Sequence, residues 1–376
     1  MKQRFSLVGI LALCAAGCSG GNATASSTGS SPAPAPAPAP SPTPTPTPAP
    51  APTLPVYVPT AAAQPTTGIA LPLGKCVNMG NHLEPPNEGD WGRAIADDDF
   101  TIIKAAGFAT VRLPVRFSGH ALAAAPYTID AAFMARVHHV VDLATTAGLN
   151  VIIDMHNYDE LFSDPAGNTA RFAGLWKLVA ADFATAPASV WFELSNEPHD
   201  KLTNANLLSV FNPALAAIRL TNPTRPVIVG GEGYSGIGGL ATLPMPADPN
   251  VVPTFHSYDP FMFTHQGATF ITPTPPLGRV FGSAADITEL NANLQAVRNF
   301  MTSTGRVPFM GEYGANDDPA IPVSERIKYY GTMTSAYASI GVQSCAWAYT
   351  NTFKLRDGNH WVPGLVEALQ TTTTLR

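Results

Sequence analysis

The stretch Thr145-Thr146-Ala147-Gly148-Leu149-Asn150-Val151-Ile152-Ile153-Asp154-Met155 decides how the fold is read. An Ala-rich amphipathic run over 129–146 ends at a glycine, and a mostly apolar run of strand length follows at once. Glycine closes helices because it enters left-handed backbone without a side-chain clash. A strand that reads apolar almost throughout is covered on both faces, which is the condition of a parallel sheet. The segment is therefore a helix-to-strand junction inside an α/β domain.

The same junction recurs. Ala106-Gly107 precedes a strand-like run over 109–113, Thr304-Gly305 one over 307–310, and Ile340-Gly341 one over 343–347. Further strands are predicted at 76–79, 190–194, 226–229 and 252–255, which makes eight, with helices predicted at 169–183, 205–220, 286–302 and 323–340. Strict alternation of strand and helix over about 300 residues predicts a single closed (β/α)8 barrel. The competing architecture is an open doubly wound sheet. Its Gly-rich phosphate turn is missing, because neither Gly74 nor Gly80 opens that fingerprint.

The rest of the 376 residues is read differently. Met1-Lys2-Gln3-Arg4 is basic and the apolar run over 5–16 has the length of an export-signal core, too short to span a bilayer. Ala15-Ala16-Gly17-Cys18 resembles a bacterial lipobox with Ala where Leu is usual, so a lipid anchor at Cys18 is expected, ordinary secretory cleavage being the alternative. Twelve prolines fall between Pro32 and Pro55 in an uncharged Ala-Pro and Thr-Pro alternation, which favours an extended spacer and cannot build a core. The predicted plan is a signal over 1–17, a Gly/Ser/Thr- and Pro-rich linker over 18–67, and a barrel over 68–376. An exported, membrane-anchored or secreted monomer is expected.

Charge narrows the partners. With 21 basic against 27 acidic residues, only 13% of the chain charged and no basic run after the start, nucleic acid is excluded as a partner and a neutral ligand is favoured. In a barrel of this kind, chemistry sits at the C-terminal ends of the strands. Two of those ends carry carboxylates: Glu197 in Ser195-Asn196-Glu197-Pro198 and Glu312 in Met310-Gly311-Glu312-Tyr313-Gly314. Two rim carboxylates across a cleft are what glycosidic cleavage requires, one to protonate the leaving oxygen and one to meet the anomeric carbon. They are also a pair that could hold a divalent metal, but no HxH follows the first strand and no HExxH occurs, so neither a metal nor an organic cofactor is expected.

Around these carboxylates stand Arg112 in Val111-Arg112-Leu113-Pro114, His156 in Asp154-Met155-His156-Asn157, Asn196 beside Glu197, His256 and Tyr258 in Phe255-His256-Ser257-Tyr258, and Trp347 in Ala346-Trp347-Ala348. With these eight residues in order, residues 74–362 resemble glycoside hydrolase family 5, the cellulase family among retaining (β/α)8 glycosidases. The resemblance implies Glu197 as general acid/base and Glu312 as nucleophile, with Arg112, His156, Asn196, His256, Tyr258 and Trp347 binding substrate or orienting the carboxylates. It implies a retaining endo-β-1,4-glucanase acting on a polysaccharide or oligosaccharide. β-Mannan, xyloglucan, β-1,3-glucan and short oligosaccharides stay open as substrates, and a silent glycan-binding lipoprotein or a metal-dependent barrel hydrolase as other classes. It further implies a cis peptide at Trp347-Ala348.

Other expectations are local. Cys76 and Cys345 fall on neighbouring strands, and because adjacent parallel strands rarely give good disulfide geometry, two buried free thiols are expected, with a bridge as the minority case. Asn81, His82, Trp91, Tyr158, Phe263 and Trp361 are candidate subsite walls in loops after strands. His199 and the 259–268 segment are read as shaping the cleft, and His138 and His139 as structural.

Overall fold

The structure, a computed structural model, describes residues 54–372, so the export signal and Cys18 lie outside the described residues. Strands β1 (Cys76–Asn78), β2 (Thr110–Val115), β3 (Asn150–Met155), β4 (Val190–Glu193), β5 (Val227–Val229), β6 (Val251–His256), β7 (Phe309–Glu312) and β8 (Cys345–Ala346) form one sheet in the order β7-β6-β5-β4-β3-β2-β1-β8. All the pairings are parallel, and a Met310↔Ser344 bridge joins the two edges. The sheet is thus a closed barrel, as the junction pattern predicts.

Helices Ala131–Thr146, Pro165–Asp182, Leu207–Arg219, Ala284–Thr304 and Val323–Ala338 pack around it at the predicted places. Several begin on side-chain caps: Asp130 accepts from Phe133 N–H, Asp164 from Gly167 N–H, and Ser283 with Asp286 forms a reciprocal capping box. The junction glycines Gly107, Gly148, Gly305 and Gly341 have φ of 84°, 76°, 69° and 76°, the left-handed turn the sequence required of them.

Strand side chains alternate in facing, and this alternation builds the interior in layers. Val77, Val111, Val151, Ile153 and Phe192 face the helices. Cys76, Ile152, Trp191, Ile228, Val252, Phe309 and Cys345 fill the lower barrel, with Leu71 and Leu73 beneath them. Two residues further along their strands come Asn78, Asp154, Glu193 and Thr254, all buried. The layer under the mouth is polar, and the layer below it is apolar except for Thr110, whose buried hydroxyl donates to the Leu73 carbonyl.

The thiol expectation is overturned: Cys76 and Cys345 form a disulfide. The two are direct register partners, and β8 pairs with β1 over only two residues, so no long ladder holds the strands at their usual spacing and the Cα atoms approach to 4.3 Å. Both side chains point into the same lower layer.

Residues 54–67, the end of the stretch read as linker, run along the base of the barrel. Thr60 N–H donates to the Ala338 carbonyl at 3.0 Å, Ala63 N–H to Gly341 at 2.9 Å, and Thr66 N–H to Gly305 at 2.8 Å, while the Tyr57 hydroxyl donates to Asn291 Oδ1 at 2.9 Å. Gly305 and Gly341 precede strand starts, so the N-terminal segment leaves from the face opposite the strands' C-terminal ends.

Candidate active site

Arg112 is the centre of the polar layer and is wholly buried. Its Nε and Nη2 edge grips Glu193 at 2.7 and 3.0 Å, Nη2 also reaches Asn196 Oδ1 at 2.9 Å and Asp154 Oδ2 at 3.0 Å, and Nη1 donates to Asn78 Oδ1 at 3.0 Å and Glu312 Oε1 at 2.7 Å. A planar guanidinium clamped along one edge has no freedom left in the direction of the other edge. Glu193 therefore fixes how Arg112 presents Nη1 to Glu312. The other oxygen of Glu312 accepts from the Tyr258 hydroxyl at 2.8 Å.

Glu197 enters from the end of β4 with φ of 47°, a left-handed conformation that costs a non-glycine residue roughly 1–2 kcal/mol. Its Oε1 lies 2.8 Å from His256 Nδ1, and His256 is in register with Glu312 across a bulge between β6 and β7. Donor atoms of Glu197, His256 and Glu312 all lie within 4.8 Å of one another. Such a trio could also grip a cation, but both Glu312 oxygens already receive N–H or O–H donors and Glu197 Oε1 is paired with His256. The two carboxyl groups are thus brought together at one mouth, at the close range that suits direct attack on an anomeric carbon rather than the wider gap that admits a water.

Electrostatics separate the acids. Burial pushes Glu197 above the usual carboxylate range, with His156 and Arg112 opposing and Glu193 adding to the rise. Burial pushes Asp154 up to about 7, against the pull of Arg112. Burial likewise brings His156 and His256 down to about 4, so both imidazoles are neutral at pH 7. His156 Nδ1 sits 2.6 Å from Asp154 Oδ2, a hydrogen bond that orients the imidazole and leaves Nε2 turned away from Asp154. One cation, Arg112, serves Asp154, Glu193 and Glu312 directly.

Trp347 completes the mouth, 9% exposed, its ring nearly parallel to His156 at 5.9 Å between centroids. A Cβ on Gly80 would lie 2.5 Å from the indole, so only glycine fits beneath it. The Trp347-Ala348 peptide is cis, as the resemblance implies.

A match to the Cellulase (glycosyl hydrolase family 5) family model extends over residues 74–353. The chain belongs to glycoside hydrolase family 5. Among family 5 relatives it is 32% identical over 275 residues to Endoglucanase H of Acetivibrio thermocellus, covering 73% of this chain, and 28% identical to Endoglucanase B of Clostridium cellulovorans, covering 63%. It spans 29% and 58% of the lengths of those two proteins. Structures of Thermotoga maritima Cel5A in complex with cellobiose and with mannotriose superpose with TM-score 0.76 at 36% identity, over 80% of this chain and 98% of theirs.

Within this family 5 barrel, all eight residues singled out in the sequence gather at one mouth, and Asn78, Asp154 and Glu193 join them unannounced. A signal for these three existed. Each is a polar residue two places beyond an inward apolar one in a buried strand, and such a residue must be paired. Most of the expected subsite walls are corrected. His82, Tyr158 and Phe263 are buried: His82 bonds Thr350 Oγ1 and the Arg93 carbonyl, while Phe263 packs on Phe281 and Tyr329. Trp361 lies in a small hairpin (Arg356–Asp357 with His360–Trp361) and stacks on Phe108. Their loops fold back over the barrel instead of standing free, whereas Trp91 is 37% exposed. In the 259–268 segment, Thr264 Oγ1 donates to the Tyr258 carbonyl at 2.6 Å and so braces the Tyr258 backbone. His138 and His139 form surface pairs with Asp182 and Asp97.

Proposed function

We propose that the chain is a retaining endo-β-1,4-glucanase. The observation that carries this reading is the pair of carboxyl groups, Glu197 and Glu312, held at close range by different partners. Glu312 attacks the anomeric carbon while Glu197 gives its proton to the leaving oxygen, and the glycosyl ester so formed is opened by a water whose proton returns to Glu197. Arg112 and Tyr258 orient the nucleophile, His256 orients Glu197, Asn196 and His156 meet sugar hydroxyls, and Trp347 lies under the reacting ring.

Residues 1–17 act as the export signal and 18–67 as the linker, its last stretch, 54–67, docked on the barrel base, with lipid on Cys18 holding the catalytic unit, 68–376, at a membrane surface as a monomer. The Cys76–Cys345 bond supports maturation in an oxidising compartment. Among the described residues no helix is long and apolar enough to cross a membrane. Because the N-terminal segment leaves from the base of the barrel, a tether there turns the cleft outward.

A product profile on β-1,4-glucan, mixed-linkage glucan, mannan and xyloglucan tests the reading. Early loss of viscosity with short products from β-1,4-glucan is expected, unchanged by a chelator. Cleavage of mannan alone would replace the substrate, a second reading favoured by the mannotriose-bound neighbour. Loss of activity on chelation would replace the mechanism.

Glu197 must be protonated for the first step, and burial raises its pKa, so turnover is lost as pH rises through that raised value. Glu193→Gln removes a negative charge that raises it. The basic limb of kcat/KM is therefore expected at lower pH than in the wild type, with kcat down about 10²-fold as Arg112 loses its clamp. An unmoved limb would remove Glu193 from this role.

A further inference from the structure

β7 ends on Glu312 and β8 leads directly to Trp347, yet the chain segments at this junction meet through a single bridge, Met310↔Ser344. Every other neighbouring pair of strands shares a ladder of two or more residues. Side chains supply the missing links. In the buried polar layer, Asn78 Nδ2 donates to the Gly311 carbonyl at 3.0 Å and to the Cys345 and Ala346 carbonyls at 3.3 Å.

At the level of the mouth the links come from helix Val323–Ala338. Arg326 and Tyr330 stand one turn apart on the same face of it, and both are buried. Arg326 Nε donates to the Ala315 carbonyl at 3.3 Å and Nη2 to the Lys354 carbonyl at 2.7 Å, while the Tyr330 hydroxyl accepts from the Ala315 N–H at 3.3 Å and donates to the Trp347 carbonyl at 2.6 Å. One phenol oxygen thus joins the loop behind Glu312 to the peptide that carries the indole.

The other side of residue 347 is held as well, its N–H donating to the Tyr313 carbonyl at 2.8 Å. With that end fixed, the remaining freedom lies in the peptide that follows. Among the described residues no donor other than Tyr330 reaches the Trp347 carbonyl. A Cβ on Gly314 would collide with that carbonyl and lie 3.0 Å from the Tyr330 hydroxyl, so only glycine leaves room for the bond. A buried carbonyl served by one donor takes the place that this donor dictates.

We propose that Tyr330 is a positioning residue for glycosyl transfer, its hydroxyl fixing the Trp347 peptide and thereby setting the indole plane against Glu312. This rests on the reading above in which Trp347 lies under the reacting ring. Tyr330 itself touches no sugar.

The test is a double-mutant cycle on cellotetraose hydrolysis, with kcat taken per site titrated by a fluoro-sugar label, so that unfolded protein drops out. Tyr330→Phe removes one oxygen and keeps the packing ring. Its kcat is expected to fall about tenfold with KM within about twofold, because a shifted indole no longer matches the sugar as it flattens toward the transition state. In a Trp347→Ala background the same substitution should change kcat by less than about twofold, since no indole is left to place. A Tyr330→Phe effect confined to KM or to Tm would overturn the inference, and so would an equal tenfold loss in both backgrounds. If Trp347→Ala by itself left kcat intact, the placement of Trp347 under the reacting ring would fall, and this inference with it.

Discussion

Glu312→Ala is expected to lose at least about 10⁴-fold in turnover and to take up no fluoro-sugar label, because no other group can form the glycosyl ester. The same variant should fold with a Tm equal to or above the wild type's. Removing one partner of a buried ion pair ordinarily strands a charge. Here Arg112 keeps Glu193 and Asp154, and the site loses one acid from an excess of them. Azide added to this variant should give the glycosyl azide of inverted configuration, since the anion enters on the face that Glu312 vacates. Residual labelling, or a collapse in Tm with normal labelling elsewhere, would show that Glu312 is a structural acid.

Glu197→Ala separates the two steps instead. On substrates with a poor leaving group its loss should cost about 10³-fold, the usual worth of a positioned acid. On a dinitrophenyl glycoside the first step needs no proton, so ester forms and then waits for a base that is gone. Azide needs no base. It should restore turnover and yield the azide of retained configuration, the opposite anomer from the Glu312 variant. The pair of products assigns both roles in one experiment, and a shared configuration would contradict the assignment.

The barrel could be read early because its signals are local: a helix, a left-handed glycine and a covered strand, repeated. The two rim carboxylates could be read because each closes or follows a strand; the other six mouth residues are implied by the family resemblance, and Arg112 lies inside β2 rather than at its end. What stayed hidden depends on the third dimension. Asp154 and Glu193 look like strays inside apolar runs until closure of the sheet brings them to one guanidinium. Tyr158 and Phe263 look exposed in loops until those loops fold onto the helices. For Cys76 and Cys345 a bridge stood only as the minority case on the geometry of long ladders, and β8 is not long.

That last pair alters what the polypeptide is when it is not folded. The bond joins positions 269 residues apart, the first strand to the last, so an oxidised, denatured chain is a ring with two tails. Ring closure removes conformations only from the disordered ensemble, with an entropic ceiling of roughly 5–6 kcal/mol for a circuit of this size. β8 pairs with β1 over only two residues, and the covalent link keeps the chain's first and last strands within reach of each other each time the domain opens and recloses.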